Sequence, residues 1–376
     1  MILGIESSCD ETAAAVVCCG RKILSSVVSS QIDIHRKFGG VVPELASREH
    51  LRQIVPVVRE ALEQASVSLA DLDAVAVTQG PGLVGALLVG ITYGKALASG
   101  LRKPLISVNH LEGHIHAVFL EAHSESRRQP ELPALCLIVS GGHTILYSVE
   151  CEAGSASQSL DSAATSRFVY SRIGGTRDDA AGEAYDKVAR MLSLGYPGGP
   201  VIDQLAADGN PEAVRFNDPK MRGNPFDFSF SGIKTAMLYH LRRHPEFEPE
   251  IAARKEALAR GKRQAAQLRA LCSPATLDLI ASFQSAVVNN LVTRSLGAAE
   301  QLRAKSVLVS GGVAANRQLR RTFEEEARKR RLDVFFPSRQ LSTDNAAMIA
   351  AAAYPKYVAK DFADGSLNAE PNLPLA

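Results

Sequence analysis

Apolar and polar runs along the first hundred residues alternate in a way that predicts strands separated by helices. A helical period opens at Pro43, and Pro56 predicts a bend within it. The apolar positions predicted to share one face of this helix are Leu45, Leu51, Ile54, Val55, Val58 and Leu62. The β-like runs of this part are residues 2–5, 13–17, 23–28, 73–78 and 105–108. Such alternation is typical of a layered α/β domain.

The same pattern restarts in the second part of the chain. Apolar residues 134–139 run into Ser140-Gly141-Gly142-His143, and residues 144–149 return as the hairpin partner. A second apolar run, 306–309, ends in Ser310-Gly311-Gly312. Because glycine has no Cβ, such junctions bring backbone N–H groups close to phosphate oxygens. Two of them indicate a duplicated phosphate-binding architecture, and a plain chain turn is the alternative for either one.

Three segments depart from this alternation. Cys151 to Ser171 is rich in Ser and Ala and predicts a surface loop inserted into the domain. Pro245 to Cys272 is dense in Ala, Arg, Lys and Glu and predicts an exposed helical insertion. The polar tail after Asp361 predicts a loose terminus.

Length and composition narrow the class of protein. A chain of 376 residues favours two domains, and a net charge of +2 leaves any nucleic-acid surface to a local patch. Basic stretches at 242–243, 254–269 and 317–331 are candidates, with solvated helix faces as the alternative. Six scattered cysteines without C-x-x-C spacing fit a reducing cytoplasm. The first residues do not resemble a signal peptide, and Gly82 to Leu101 predicts a buried helix rather than a membrane span.

His110-Leu111-Glu112-Gly113-His114 places two imidazoles four residues apart. On a helix both project from one face, at a spacing suited to one metal ion. Glu112 stands at the middle position, whereas the zinc-protease motif needs its glutamate directly after the first histidine. The motif therefore lacks the general base of a protease. Two surface histidines on an amphipathic helix are the alternative.

A third metal ligand would have to come from elsewhere in the chain. Asp344, just ahead of an Ala-rich helix, is the best distant candidate for the carboxylate that commonly completes such a site. An aspartate in that place is also a good helix N-cap, and the local sequence alone favours the cap.

Further residues suit a nucleotide. Asn316, after the second glycine junction, is placed to hydrogen-bond a ribose or base. In the acidic stretch 178–187, Asp186 is a candidate acceptor for hydroxyl groups, and Gly199 would let a ligand lie against the backbone. Helix-start acids followed by a Gly/Pro helix stop explain the same residues equally well.

Together these segments resemble one family, in its motif order. The segments that carry the resemblance are Gly4–Thr12, Gly39–Arg48, Gly80–Leu83, the His110/His114 pair, Val139–Thr144, Asp178–Lys187, Ser229–Thr235, Ser310–Arg317 and Thr343–Asn345. The family is that of the bacterial tRNA N6-adenosine threonylcarbamoyltransferases (TsaD, formerly the Gcp glycoprotease family). The resemblance covers nearly the whole chain.

The resemblance implies an actin/Hsp70/sugar-kinase-like (ASKHA) fold, in which two RNase H-like α/β lobes enclose a nucleotide cleft. The implied N-terminal lobe comprises residues 1–108 with about 337–376, and the C-terminal lobe comprises residues 109–336. His110, His114 and Asp344 would hold one divalent metal ion, expected to be Fe²⁺, with Zn²⁺ as the alternative. The positions matching those that contact the adenylate are Ile138, Val139, Ser140, Gly141, Gly142, Asp186, Gly199, Asp203 and Asn316.

The implied reaction moves a threonylcarbamoyl group from threonylcarbamoyl-AMP to the N6 amine of the adenosine just 3′ of the anticodon (adenosine 37). The implied acceptors are tRNAs that read codons beginning with A. Implied partners are an inactive paralogue (TsaB) and a small P-loop ATPase (TsaE), without a membrane. The alternatives are a sugar kinase-like ATPase of the same fold, a metalloprotease, and a non-catalytic scaffold that would have lost its metal ligands.

Overall fold

The computed structural model describes residues 1–124, 128–151, 167–217 and 221–376. The elements of the first part are β1 (Ile2–Glu6), β2 (Glu11–Cys18), β3 (Lys22–Ser30), α1 (Ile32–His35), α2 (Pro43–Ala65), β4 (Ala74–Gly80), α3 (Val84–Leu101) and β5 (Leu105–Asn109). The five strands form one sheet in the order β3-β2-β1-β4-β5. β1 to β3 pair antiparallel, and β1, β4 and β5 run parallel.

The second part carries another sheet and most of the helices. Its elements are α4 (His110–Ser124), β6 (Ala134–Val139), β7 (Thr144–Cys151), β8 (Phe168–Gly175), α5 (Ala181–Met191), α6 (Gly198–Leu205), α7 (Ser231–Arg243), α8 (Glu248–Ala259), α9 (Ala265–Arg269), α10 (Pro274–Gln301), β9 (Ser306–Ser310), α11 (Arg317–Lys329), β10 (Asp333–Phe335), α12 (Arg339–Ser342) and α13 (Ala346–Val358). The strand order is β10-β9-β6-β7-β8.

Both sheets have the same topology. In each, the first three strands form an antiparallel meander, and the fourth and fifth strands lie parallel to the first on its other side. The β-strands predicted from the apolar runs are confirmed, and so is the two-lobed, duplicated RNase H-like α/β fold.

The two Ser-Gly-Gly junctions do not mark this duplication. They follow β6 and β9, which are neighbouring parallel strands of one sheet with Ile138 opposite Ser310. The counterpart of the β6–β7 turn in the first lobe is the β1–β2 turn, which contains no Gly-Gly pair. The interpretation of the repeat as a sign of duplication was therefore wrong, although the duplication itself is real.

Helices cover both faces of the first sheet, and α3 lies close against one of them. Gly90 stands against Ser7 and Gly94 against Val77, so that a side chain at either position would collide with the sheet. The opposite face is covered by α13, whose alanines pack on β1 and β2. By length and composition α3 could cross a membrane, a test that core helices of soluble proteins also pass. Its buried side packs on the sheet, as predicted for a core helix.

The predicted apolar face of α2 was partly wrong. Ile54 and Val58 are buried, but the side chains of Leu51 and Val55 are 66% and 45% exposed. His50 is buried in their stead, one turn before Ile54. Positions 50, 54 and 58 recur at i+4 and form one stripe, whereas Leu51 and Val55 sit about 100° further round the helix.

The predicted loop at Cys151 to Ser171 ends earlier than expected. Residues 152–166 lie outside the described part of the chain. Phe168 to Ser171 are already in β8, where they pair with β7. These residues form a strand rather than a loop because pairing with β7 at the edge of the sheet satisfies their backbone N–H and C=O groups.

Pro245 to Cys272 is helical, as predicted, but it is not merely an exposed excursion. Arg254 of α8 is fully buried and donates hydrogen bonds to the carbonyl oxygens of Leu192 and Leu271. Leu268 of α9 is also fully buried, and Phe247 and Cys272, near the two ends of the segment, belong to the core of the second lobe. The high content of charged residues predicted an exposed segment and gave no sign that these positions face inward.

The tail after Asp361 is not a loose terminus. Ala363 bridges to Leu105, the Lys95 ammonium donates to the carbonyl oxygen of Gly365, and Gln79 donates to Glu370. Asn109 donates to the carbonyl oxygens of Leu373 and Pro374. Backbone contacts with the edge of the first sheet therefore fix this polar segment, and composition carries no signal for them.

Helix α4 joins the two lobes. Ala117 and Leu120 pack in the core formed by the first sheet and α13. Ile115 and Val118 pack in a separate core with β6 and β7 of the second sheet. Because α4 contacts both sheets, its first turn lies where the two lobes meet.

Candidate metal and nucleotide site

The two histidines of the H-x-x-x-H pattern lie on the first turns of α4. The Asn109 side chain accepts from the backbone N–H of Leu111 and thereby satisfies one donor of the new helix. His110 and His114 project from the same face, with ring centroids 4.7 Å apart. Both are buried, so the alternative of two surface histidines is wrong.

Asp344 is brought to this pair from the other end of the chain. Its Oδ1 lies 3.5 Å from Nε2 of His110 and 3.2 Å from Nε2 of His114. One ligand atom from each of the three residues lies within 4.8 Å of the other two.

The N-cap of α13 is Asn345 rather than Asp344. The Asn345 side chain accepts from the backbone N–H of Met348 at 3.0 Å and donates to the carbonyl oxygen of Thr343. The cap alternative for Asp344 was therefore wrong, since the neighbouring residue fills that role and leaves the Asp344 carboxylate facing the histidines.

The donor set suits a metal ion. His114 is fully buried, yet its Nδ1 has no hydrogen-bond partner among the described residues and its Nε2 faces the Asp344 carboxylate at 3.2 Å. Buried polar groups in proteins nearly always have a partner, so this ring requires an explanation. Two imidazoles and one carboxylate that leave open positions are typical ligands of Zn²⁺ or non-haem Fe²⁺. The residues present therefore fit one divalent ion.

The site is strongly polarised. Burial alone would lower the pKa of His110, but the carboxylates of Asp344 and Glu6 outweigh it and raise the pKa to about 9. Burial would likewise raise the pKa of Asp344, but the positive charges of His110 and His114 bring it below its usual range. This concentration of opposite charges is typical of a functional site.

Two neighbours of the site were not singled out from the sequence. Glu6, at the end of β1, has Oε2 3.0 Å from Nδ1 of His110. His143 is close enough to sense both histidines, and burial together with their positive charge lowers its pKa to about 4. Glu6 lies inside the Gly4–Thr12 segment and His143 directly follows the first glycine junction. Their positions within these motifs were the only sequence features that could have pointed to them as neighbours of the site.

The first glycine junction forms a tight turn beside the site. The backbone N–H of Ser140 donates to the His143 carbonyl oxygen, and the N-terminus of α5 rests on the turn through Gly182. A Cβ at Gly141 or Gly142 would meet no described atom within 4 Å. The turn therefore presents open backbone, as a ligand-binding junction requires.

The other residues predicted to contact the nucleotide differ in how exposed they are and in whether their side chains already have partners. A Cβ at Gly199 would also meet open space in the described structure, whereas Ile138 and Val139 are fully buried and offer only their backbone. Asp186 accepts from the backbone N–H of Gly198 at 2.7 Å, and burial raises its pKa to about 6. Of the alternative explanation, the helix start after the acids is confirmed by α5, whereas the proposed Gly/Pro helix stop is the start of α6.

The side chains of Asp203 and Asn316 are engaged within the protein. Asp203 accepts from Nε of Arg317 at 2.9 Å. Asn316 caps α11 by accepting from the backbone N–H of Leu319, and its amide donates to Gln284. A ligand would have to share or displace these contacts. Nucleotide binding by these residues stays a prediction.

Comparison with known proteins decides the family. Residues 22–351 match the family described as TsaD, tRNA N6-adenosine threonylcarbamoyltransferase. The chain belongs to the tRNA N6-adenosine threonylcarbamoyltransferase family. It is 56% identical to a protein of that name from Koribacter versatilis, covering 100% of this chain and 99% of the relative. It is 50% identical to another from Moorella thermoacetica, covering 100% and 97%.

Membership of the threonylcarbamoyltransferase family confirms the predicted enzyme class, a transferase. The sugar-kinase and metalloprotease alternatives are not favoured. The chain retains the two histidines and the aspartate that a non-catalytic scaffold would be expected to lose, and the structure brings them together.

Proposed function

We propose that this chain transfers the threonylcarbamoyl group from threonylcarbamoyl-AMP to the N6 amine of adenosine 37 in tRNAs that read codons beginning with A. The observation that carries the proposal is the convergence of His110, His114 and Asp344 beside the open backbone of Gly141 and Gly142. The three metal-ligating side chains suit the polar threonylcarbamoyl group. The open glycine backbone suits the phosphate of the departing AMP.

The reaction forms one bond and breaks one. The amine lone pair attacks the carbamoyl carbon, the bond from that carbon to the phosphate oxygen breaks, and AMP departs with the electron pair. The amine releases one proton to solvent or to the departing phosphate. No protein nucleophile is needed, so the chain has to bind, orient and exclude water.

We assign one divalent ion, expected to be Fe²⁺, to His110, His114 and Asp344. When bound, such an ion supplies a Lewis acid for the threonylcarbamoyl oxygens and for the negative charge that develops during transfer. The three residues are brought together because His110 and His114 share one helix face and Asn345 anchors the loop before α13.

We assign the adenylate to the turn after β6 and to the N-terminal turn of α6. Backbone N–H groups of Gly141 and Gly142 would approach the phosphate, and Gly199 would let the nucleoside lie against backbone. Asp186, partly buried beside Gly198, is placed to accept from hydroxyl groups. The proposed lobes, residues 1–108 with 337–376 and residues 109–336, would then enclose the nucleotide.

The proposed partners are tRNA, an inactive paralogue and a P-loop ATPase, in the cytoplasm. Exposed apolar side chains on adjacent helices support a protein partner: Leu51 and Val55 on α2, and Val84 and Leu88 on α3. The two helices touch where Gly85 meets Ser47. For tRNA, the candidates are the basic stretches 242–243, 254–269 and 317–331, without Arg254, which is fully buried.

The proposal is tested by transfer of labelled threonylcarbamoyl from its adenylate to unmodified tRNA, with partner proteins supplied. His110→Ala, His114→Ala and Asp344→Ala are compared with wild type, each with its metal content measured. His244→Ala, at an exposed histidine of the second lobe, is the matched control.

We expect the three site variants to lose both metal and transfer, while the control retains both. Variants that lose metal but transfer normally would refute the role of the metal. A wild-type chain that transfers nothing with every partner present would refute the reaction itself.

A further inference from the structure

Glu6 is a buried carboxylate that the proposed reaction does not use directly. It ends β1 and is fully inaccessible to solvent. Its Oε1 accepts from the backbone N–H of Ser8 at 2.5 Å, and its Oε2 accepts from the hydroxyl of Thr78 at 2.7 Å. Two donors, one in the β1–β2 turn and one on β4, thus hold the carboxylate in one orientation, and nothing about β-sheet packing requires an acid at this point.

The second partner of Oε2 is the Nδ1 atom of His110, at 3.0 Å. An ionised carboxylate can only accept hydrogen bonds, so Nδ1 must carry the proton of this contact. When the ring gives up its other proton to bind a metal, the lone pair is therefore on Nε2, the atom that faces Asp344 at 3.5 Å. The Ser8 hydroxyl also lies 3.2 Å from Nδ1 and can accept as well as donate, so it is compatible with a proton there. The contact between Glu6 and His110 therefore selects the tautomer that can bind a metal through Nε2.

His114 has no such support. Within the described structure the Nδ1 of this fully buried ring has no hydrogen-bond partner, and its Nε2 faces the Asp344 carboxylate at 3.2 Å. The two histidines are thus unequal although their spacing suggests equivalence. One is fixed through its Nδ1 before any metal arrives, and the other is not.

We propose that Glu6 is the positioning residue of the metal centre, fixing the orientation and tautomer of His110, while His114 is ordered by the metal itself. This inference rests on the proposed metal site at His110, His114 and Asp344. On this proposal, the segment Gly4–Thr12 of the first lobe contributes to metal affinity through Glu6. Partners of this kind commonly change metal affinity by about 10–100-fold when removed.

Glu6→Gln tests this role with little change in shape. The Ser8 N–H can only donate, so the amide oxygen of Gln must take the Oε1 place and the NH₂ group must take the Oε2 place. That NH₂ group would donate to Nδ1 of His110 and so favour the tautomer with the proton on Nε2, which cannot bind a metal. Glu112→Gln is the matched control, since Glu112 lies on the same helix and contacts Tyr170 and Lys356 instead.

The measurement is the affinity of the purified full-length chain for Zn²⁺, by competition with a chromophoric chelator. We expect Glu6→Gln to weaken affinity about 10–100-fold, with Glu112→Gln close to wild type. Unchanged affinity in Glu6→Gln would overturn the role of Glu6. If Asp344→Asn also bound Zn²⁺ as wild type does, the proposed metal site itself would be wrong.

A second measurement needs no variant and separates positioning from a purely structural role. In the Zn²⁺-loaded wild-type chain labelled with ¹⁵N-histidine, His110 should give a downfield Nδ1–H resonance that exchanges slowly, because Glu6 holds that proton. His114 should give none that is equally protected. Equal, rapid exchange at both rings would contradict the proposal even if Glu6→Gln failed to fold.

Discussion

The two lobes end their first strands in turns that occupy equivalent places but use different parts of the chain. In the β1–β2 turn, Glu6, Ser7 and Ser8 are buried, and the side chains of Glu6 and Ser7 make hydrogen bonds with His110 and with the Ala86 carbonyl oxygen. In the β6–β7 turn, Gly141 and Gly142 are exposed and present backbone alone. In this duplicated fold one turn is thus closed and contacts His110, whereas the other leaves its backbone open.

The difference shows in how each turn is packed. Ser7 donates its hydroxyl to the Ala86 carbonyl oxygen, and the Ser8 carbonyl oxygen accepts from the N–H of Leu83. The first-lobe turn is therefore fixed by α3 and the loop before it. The strand topology is the same around both turns, so the difference between them lies in how accessible each turn is to a ligand.

Gly82→Ala should disturb the closed turn most. A Cβ at this residue would stand 2.5 Å from the Ser8 carbonyl oxygen, a backbone atom that cannot move aside cheaply. We expect a loss of about 1–3 kcal/mol in the free energy of unfolding, as for other overpacked positions. Urea denaturation followed by circular dichroism measures it. A variant as stable as wild type would show that the first-lobe turn is not closed as described.

Gly142→Leu should leave stability nearly unchanged but fill the open turn. A Cβ at Gly142 meets no described atom within 4 Å and the turn is exposed, so the free energy of unfolding should change by less than about 0.5 kcal/mol. If phosphate binds the backbone here, affinity for AMP should fall about tenfold, or about 1.4 kcal/mol. Isothermal titration calorimetry with AMP checks this. Unaltered AMP affinity would place the nucleotide elsewhere.

Asp186→Asn should produce the smallest effect, visible only as a pH dependence. Burial raises the pKa of Asp186 to about 6 in the folded chain, against about 3.9 for an unfolded aspartate. Between these values the unfolded chain loses its proton first, so the native carboxyl costs stability as pH rises from about 4 to 6.

The wild type should therefore lose stability relative to Asp186→Asn over that pH range, by on the order of 1 kcal/mol, and show a constant difference above it. Because both chains share all other titrating groups, the difference between their urea midpoints isolates this carboxyl. A difference that does not vary with pH would mean that Asp186 is ordinarily solvated.

Much of this fold was predictable because strand and helix periods are local properties. Apolar runs located the strands, and the i+4 spacing of His110 and His114 gave their common face. The face of α2 was mispredicted because Leu51 and Val55 are apolar but exposed, and composition does not reveal which apolar stripe packs inward. The tail after Asp361 was mispredicted because its backbone contacts with Leu105 and Asn109 are non-local.

The candidate site also has features that local sequence predicts and features that depend on long-range packing. The approach of Asp344 to His110 depends on long-range packing of α13 against α4, and the family resemblance supplied it where spacing could not. The capping role of Asn345 freed Asp344, a choice between adjacent residues that local preference could not make. The support from Glu6 was hidden because a glutamate at a strand end has many ordinary explanations.

The central claim is that the three residues hold a metal that transfer requires. The most direct test is single-turnover transfer by the wild-type chain, with its partners, after removal of metal by chelation and dialysis. We predict that transfer is lost with the metal and returns as one equivalent of Fe²⁺ or Zn²⁺ is restored. Full transfer by a chain containing no metal would contradict the account.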